Sequence, residues 1–196
     1  VEDADHAFNE AVKRGAAPVV EPRDLKDDNG SVRHSAIRTY GDTIHSFISY
    51  NTNNGHNYSG PFLPGFVEQV VEGESTGLML VDHIVGNVEL GKMTVWCDFY
   101  RDVMGFQRYI PFDDKDISTE YSALMSIVMS DGQHNIKFPI NEPAEGKGGK
   151  SQIQEYIDFD RSAGAQHVAL LCRDVLATVQ KLQDNGIEFL RVPDEY

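Results

Sequence analysis

Residues 81–106 read VDHIVGNVELGKMTVWCDFYRDVMGF, and residues 165–189 read AQHVALLCRDVLATVQKLQDNGIEF. Each stretch gives an apolar strand with a histidine, a short loop, an amphipathic helix, a glycine and the start of another strand. His83 and His167 hold the same place in the two copies, and only a three-residue difference separates their distances to the glycine. A doubled strand–helix unit is the first thing to settle in any fold, because each unit buries its apolar face against its neighbour.

The pattern extends outward. Residues 1–22, VEDADHAFNEAVKRGAAPVVEP, and residues 172–193, CRDVLATVQKLQDNGIEFLRVP, align at an offset of 171, matching Asp3 with Asp174, Gly15 with Gly186 and Pro22 with Pro193. Both predict an N-capping Asp, about three helical turns, a C-cap glycine and a strand. Residues 35–50 alternate well enough for one or two strands that close a first domain. Residues 51–78, with Asn, Gly, Ser, Pro61 and Pro64, read as a linker. A second domain begins near Leu80. Within it, residues 119–140 predict a hairpin around Ser130-Asp131-Gly132, residues 143–151 a flexible loop, and residues 152–160 a short helix. The resulting order is βαββ followed by βαβ, a doubled βαβββ plan that stops early. The chain opens inside a helix-like segment and closes at Pro193–Tyr196, directly after a predicted strand, so a piece of a larger protein is expected.

Composition narrows the partners. A formal net charge of −14 gives no basic footprint for nucleic acid or for an anionic membrane. No run approaches the ~18 apolar residues of a membrane span. The first residues lack the basic and apolar regions of a secretory signal. Cys97 and Cys172 form neither a CxxC site nor a disulfide framework, and they read as free thiols of a reducing cytosol.

Of the seven histidines, His6 falls on a helix beside acidic residues, and His34, His56 and His134 fall in turn-like or hairpin-tip contexts. All four read as solvated. His45 lies in a strand and reads as an interior histidine in need of a hydrogen bond. His83 shares a strand face with Val81 and Val85, and His167 with Ala169 and Leu171. An imidazole on an apolar inward face needs a partner, either a backbone carbonyl or a metal. Two equivalent strands related by pseudo-symmetry would bring both rings to one point. A metal with open positions would need one carboxylate more. Glu120, Glu142, Glu155 and Asp158 all lie in strand ends, loops or a helix, and none occupies a third equivalent strand.

The segments VDHIVGN (81–87), EYSALMS (120–126), FPINEP (138–143), KSQIQEY (150–156) and GAQHVAL (164–170) stand in an order and spacing that resemble the 4-hydroxyphenylpyruvate dioxygenases. The resemblance runs almost continuously over residues 79–196 and extends less strongly over 1–50. It implies an α+β vicinal-oxygen-chelate fold, in which repeated βαβββ modules form open β-barrels. Residues 1–50 would end a non-catalytic N-terminal barrel, 51–78 would link, and 79–196 would form the catalytic barrel. It further implies that His83 and His167 ligate Fe(II), with a third ligand, a glutamate, lying outside this chain. Ser126, Asn141 and Gln152 match positions that line the pocket around the substrate's phenol ring. Gln166 matches another, although strand alternation points it away from His167.

The activity implied is conversion of 4-hydroxyphenylpyruvate and O₂ to homogentisate and CO₂ in tyrosine catabolism. A cytoplasmic homo-oligomer, dimer or tetramer, is implied with it. A hydroxymandelate synthase shares the fold, metal and substrate, and the PINEP segment with Asn141 favours the dioxygenase over it. A metal-free, non-enzymatic piece of the fold is the alternative of a different class.

Overall fold

The structure, a computed structural model, describes residues 1–50, 55, 57–109, 124–144 and 151–190. His56, Glu120, part of the EYSALMS segment and most of the 143–151 loop therefore lie outside the described residues. The elements run α1 (Ala4–Lys13), β1 (Pro18–Asp27), β2 (Gly30–Arg38), β3 (Ile44–Ser49), β4 (Leu78–Asn87), α2 (Met93–Asp102), β5 (Gln107–Tyr109), β6 (Leu124–Ser130), β7 (Lys137–Pro143), α3 (Gln152–Asp160), β8 (Gly164–Cys172) and α4 (Val175–Asp184). Thus α1-β1-β2-β3 is an αβββ unit, β4-α2-β5-β6-β7 is a whole βαβββ unit, and β8-α4 opens another after the inserted α3.

The predicted recurrence of the helical half is visible atom by atom. Asp3 and Asp174 take the same extended cap conformation, φ −139° and ψ 109°. Their carboxylates accept from the backbone N–H groups of His6 and Ala177, at 2.9 Å and 3.0 Å. Gly15 and Gly186 end the two helical segments at φ 106° and 86°, a left-handed region that glycine enters without steric cost. After Gly15 the chain enters β1. After Gly186, residues 187–190 form no strand, and residues 191–193 fall outside the described set.

Strands β1-β2-β3 pair antiparallel in that order. Helix α1 covers this sheet, burying Ala4, Phe8 and Ala11 with Ile37 and Phe47. Arg33 on β2 ties the layers by bonding Asp5 of α1 and Asp24 of β1, at 2.7 Å and 2.8 Å. The second sheet has the order β5-β6-β7-β4-β8, with β4 parallel to β7 and antiparallel to β8. Its closed face carries Met129 and Ile140 against Met93, Cys97 and Tyr100 of α2.

The two sheets meet on that closed face. Tyr40, just after β2, lies over Gly86 of β4, where any Cβ would collide with its hydroxyl and ring. His45 of β3 packs on Phe138 of β7 at a ring separation of 5.2 Å. Helix α2 has no side-chain cap of its own at Lys92. Buried Glu142 of β7 supplies it, its Oε2 accepting from the Met93 N–H at 3.0 Å. The FPINEP glutamate thus caps α2.

Candidate metal centre

Register decides which residues share a face. In an antiparallel ladder, directly opposed residues point the same way. His83 opposes Ala169, and Val85 opposes His167, so both histidines lie on one face of the β4–β8 pair as diagonal neighbours. The same face continues along β4 to Asn87, which pairs with Asn141 of β7. Asn141 in turn opposes Ser126 of β6. Five residues, His83, His167, Asn87, Asn141 and Ser126, therefore line one side, opposite the face that α2 covers.

The two imidazoles meet edge to face, with ring centres 5.9 Å apart. Rings this close on adjacent strands can converge on one ion with metal–nitrogen bonds of about 2.1 Å. Among the described residues, no third His, Cys, Asp or Glu joins them in a cluster.

Strand alternation fails beside each histidine. Val81 opposes Leu170 and His83 opposes Ala169, leaving Asp82 as the extra residue of a β-bulge. Val85 opposes His167 and Gly86 opposes Ala165, leaving Gln166 as the extra residue on β8. Each bulged side chain reaches its histidine: Asp82 Oδ2 lies 2.8 Å from His83 Nδ1, and Gln166 Oε1 lies 2.7 Å from His167 Nδ1. The expectation that Gln166 points away from His167 is thus corrected, and the bulge is the reason.

Charge on this face is local. Hydrogen bonds from His83 and then Lys137 hold the Asp82 carboxyl below its ordinary value. Desolvation, and then the neighbouring His83, lowers the His167 imidazole, favouring the neutral ring that can bind a metal. The surrounding face is not the buried interior that alternation suggested. Beyond the histidines, Leu171 and the opposed Leu80 are half-exposed on this face, while Val81, expected beside His83, is turned to the other face by the Asp82 bulge and opposes Leu170.

Asn141 is buried, and its Nδ2 donates to Asn87 Oδ1 at 3.4 Å. The Asn87 Nδ2 is buried without a hydrogen-bond partner among the described residues. Ser126 is half-buried beside this pair. Gln152 opens α3, capped by Ser151, and is exposed. His45 shares a 2.8 Å hydrogen bond with the Tyr100 hydroxyl, as an interior histidine should. His34 departs from expectation: it lies within β2, not in a turn, because the strand begins at Gly30. His6 is exposed on α1. His134 sits between β6 and β7, against Tyr109 and the Ser130 hydroxyl.

A sheet built from repeated βαβββ units, with a histidine at the same place on two adjacent strands, defines the vicinal-oxygen-chelate class of α+β proteins. The sequence profile of the Glyoxalase/Bleomycin resistance protein/Dioxygenase superfamily matches residues 80–196, and the chain belongs to that superfamily. It is 46% identical over its whole length to a 4-hydroxyphenylpyruvate dioxygenase of Tetrahymena thermophila, covering 48% of that protein. It is 43% identical to one of Danio rerio, covering all of this chain and 50% of that protein. The chain spans about half the length of the curated relatives it matches. A solved triple mutant of 4-hydroxymandelate synthase from Streptomyces coelicolor superposes with a TM-score of 0.73 at 22% identity, over all of this chain and 54% of that one. A xylose isomerase-like TIM barrel/4-hydroxyphenylpyruvate dioxygenase fusion protein gives 0.60 at 17%, over all of this chain and 28% of that one. Both structural likenesses speak to the fold alone.

Proposed function

We propose that His83 and His167 are two ligands of a mononuclear Fe(II) centre in an enzyme that converts 4-hydroxyphenylpyruvate and O₂ into homogentisate and CO₂. The observation that carries this reading is the pair itself: two imidazoles on adjacent strands, on one face, with ring centres 5.9 Å apart. The names of curated relatives 40–46% identical over the whole chain support the substrate. Two imidazoles suit Fe(II), which in oxygenases takes two histidines and one carboxylate. The carboxylate is not among the described residues.

When bound, iron supplies the oxygen chemistry, with the electrons drawn from the substrate's own 2-oxo acid. The chain's residues orient and hold. His83 and His167 would hold the ion, and the open face beside them would admit the substrate and O₂. Ser126 and Asn141, a hydroxyl and an amide side by side on the same face, offer a donor and an acceptor for the phenol end. The partnerless Asn87 Nδ2 beside Asn141 adds a donor already desolvated. Gln166 and Gln152 complete the proposed phenol subsite. No side chain is required as a general acid or base.

A cytoplasmic homo-oligomer acting on a small molecule is part of this reading; separately, no helix among the described residues is long and apolar enough to span a membrane. The test is oxygen uptake by the iron-loaded full-length protein with 4-hydroxyphenylpyruvate, with products separated by mass. Homogentisate and CO₂ are expected. Hydroxymandelate would move the assignment to the synthase, and no uptake would end it.

A further inference from the structure

We infer that Asp82, held by Lys137, is a positioning residue that fixes the tautomer of His83 and turns its Nε2 toward the metal. This inference rests on the proposed metal site and deepens it. The sequence pattern gives Asp82 to the other face, since neighbours in a regular strand point apart. The bulge reverses that and lays the carboxylate along the imidazole. An ionised carboxylate can only accept, so a 2.8 Å contact with Nδ1 requires the proton on Nδ1. The lone pair is then on Nε2, the nitrogen available to a metal. Free imidazole in water prefers the opposite tautomer, so without Asp82 the ring would have to rearrange before it could bind through Nε2.

Lys137 locks the carboxylate. Lys137 lies on β7, the strand that pairs with β4 at Gly86–Ile140 and Asn87–Asn141, and its side chain reaches across to Asp82. Lys137 Nζ donates to Asp82 Oδ1 at 2.8 Å, while Asp82 Oδ2 takes His83. Each oxygen thus has one assigned donor, and all three side chains are about two-thirds or more withdrawn from solvent. On the pseudo-symmetric strand the bulged Gln166 takes the place of Asp82, with a neutral oxygen and, among the described residues, no cation bonded to it. The structure therefore gives one ligand a charged orienting partner and the other a neutral one. Removal of such an orienting partner costs a metal site roughly tenfold to a hundredfold in affinity.

The experiment uses the full-length protein with ¹⁵N-labelled histidine and Co(II) as the probe ion. In metal-free wild type the His83 ring is expected as the Nδ1–H tautomer. Asp82→Ala should shift it toward Nε2–H and weaken Co(II) binding about tenfold or more, with the far-UV dichroism unchanged. Asp82→Asn, whose amide oxygen still accepts from Nδ1–H, should restore the tautomer and most of the affinity. Lys137→Met should fall between the two. An unchanged tautomer in Asp82→Ala, Co(II) affinity within about twofold of wild type, or an Asp82→Asn defect as deep as that of Asp82→Ala would each overturn the inference. A wild type that binds no Co(II) would instead overturn the site on which it rests.

Discussion

His45 and the pair His83–His167 lie on opposite sides of the same sheet. His45 belongs to the closed face, against Phe138 and Tyr100, and burial pushes its imidazole down to about 4. His83 and His167 stand on the open face, each with Nδ1 taken by a neighbour from a bulge. All three are strand histidines, and in sequence only the repeat that pairs His83 with His167 sets them apart from His45. What separates them is the partner: a hydroxyl within a packed core absorbs a histidine into structure, whereas an acceptor on Nδ1 beside an open face leaves the other nitrogen for chemistry.

The largest effect should break the open face without touching the closed one. His83→Ala and His167→Ala, each in the full-length protein, are expected to reduce oxygen uptake with 4-hydroxyphenylpyruvate to background. The metal-free melting temperature should stay near wild type, because the apolar closed face supplies the stability. A large loss of melting temperature in both variants would show that the pair is structural. The converse is Ile140→Ala. This side chain is fully buried against α2, and its truncation should cost about 3 kcal/mol in urea unfolding. Folded enzyme should keep its metal affinity.

A smaller effect tests His45 through pH. An unfolded histidine titrates near 6.5, while the folded one is held at about 4. Between those values the unfolded chain binds a proton that the fold refuses, so stability is fully present above about 6.5 and is lost as the pH falls toward 4. For a largely buried ring the loss should be on the order of 2 kcal/mol. Urea midpoints at pH 7 and pH 4.5 should lie closer together in His45→Gln than in wild type, and an equal gap in the two proteins would refute the assignment. The smallest expected change is Asn141→Ala. It should alter turnover or the ratio of products while leaving iron content almost intact, at a stability cost of about 1 kcal/mol for the Asn87 amide it strands.

The repeat, the two cap-and-glycine helices, α3 at 152–160 and the common place of the two histidines were all legible as patterns, because periodicity and capping are local. The bulges at Asp82 and Gln166 were not. No Gly or Pro marks either residue as extra, and the one-for-two count exists only when the facing strand is present. The cap that Glu142 places on α2 bridges 49 residues and has no local signature. His34 was misread because Asp28, Asn29 and Gly30 extend a turn signal up to a strand already under way. Sequence reported which residues carry polar atoms. It could not report which of them a neighbouring strand had turned around.

In the described sheet β4 is paired on both sides, by β7 and β8, whereas β8 has one neighbour. Both histidines belong to the β4–β8 ladder, but β4 is also anchored to β7 at Gly86 and Asn87, three residues beyond His83, whereas β8 has no second anchor among the described residues. A strand with a single ladder opens locally at lower free energy than one flanked on both sides, and its outer N–H and C=O groups remain available to another chain segment. The stiffness of the two imidazoles is accordingly unequal, and that of His167 is set by whatever pairs with the outer edge of β8. A segment that never approaches the ion can in this way tighten or slacken one of its ligands.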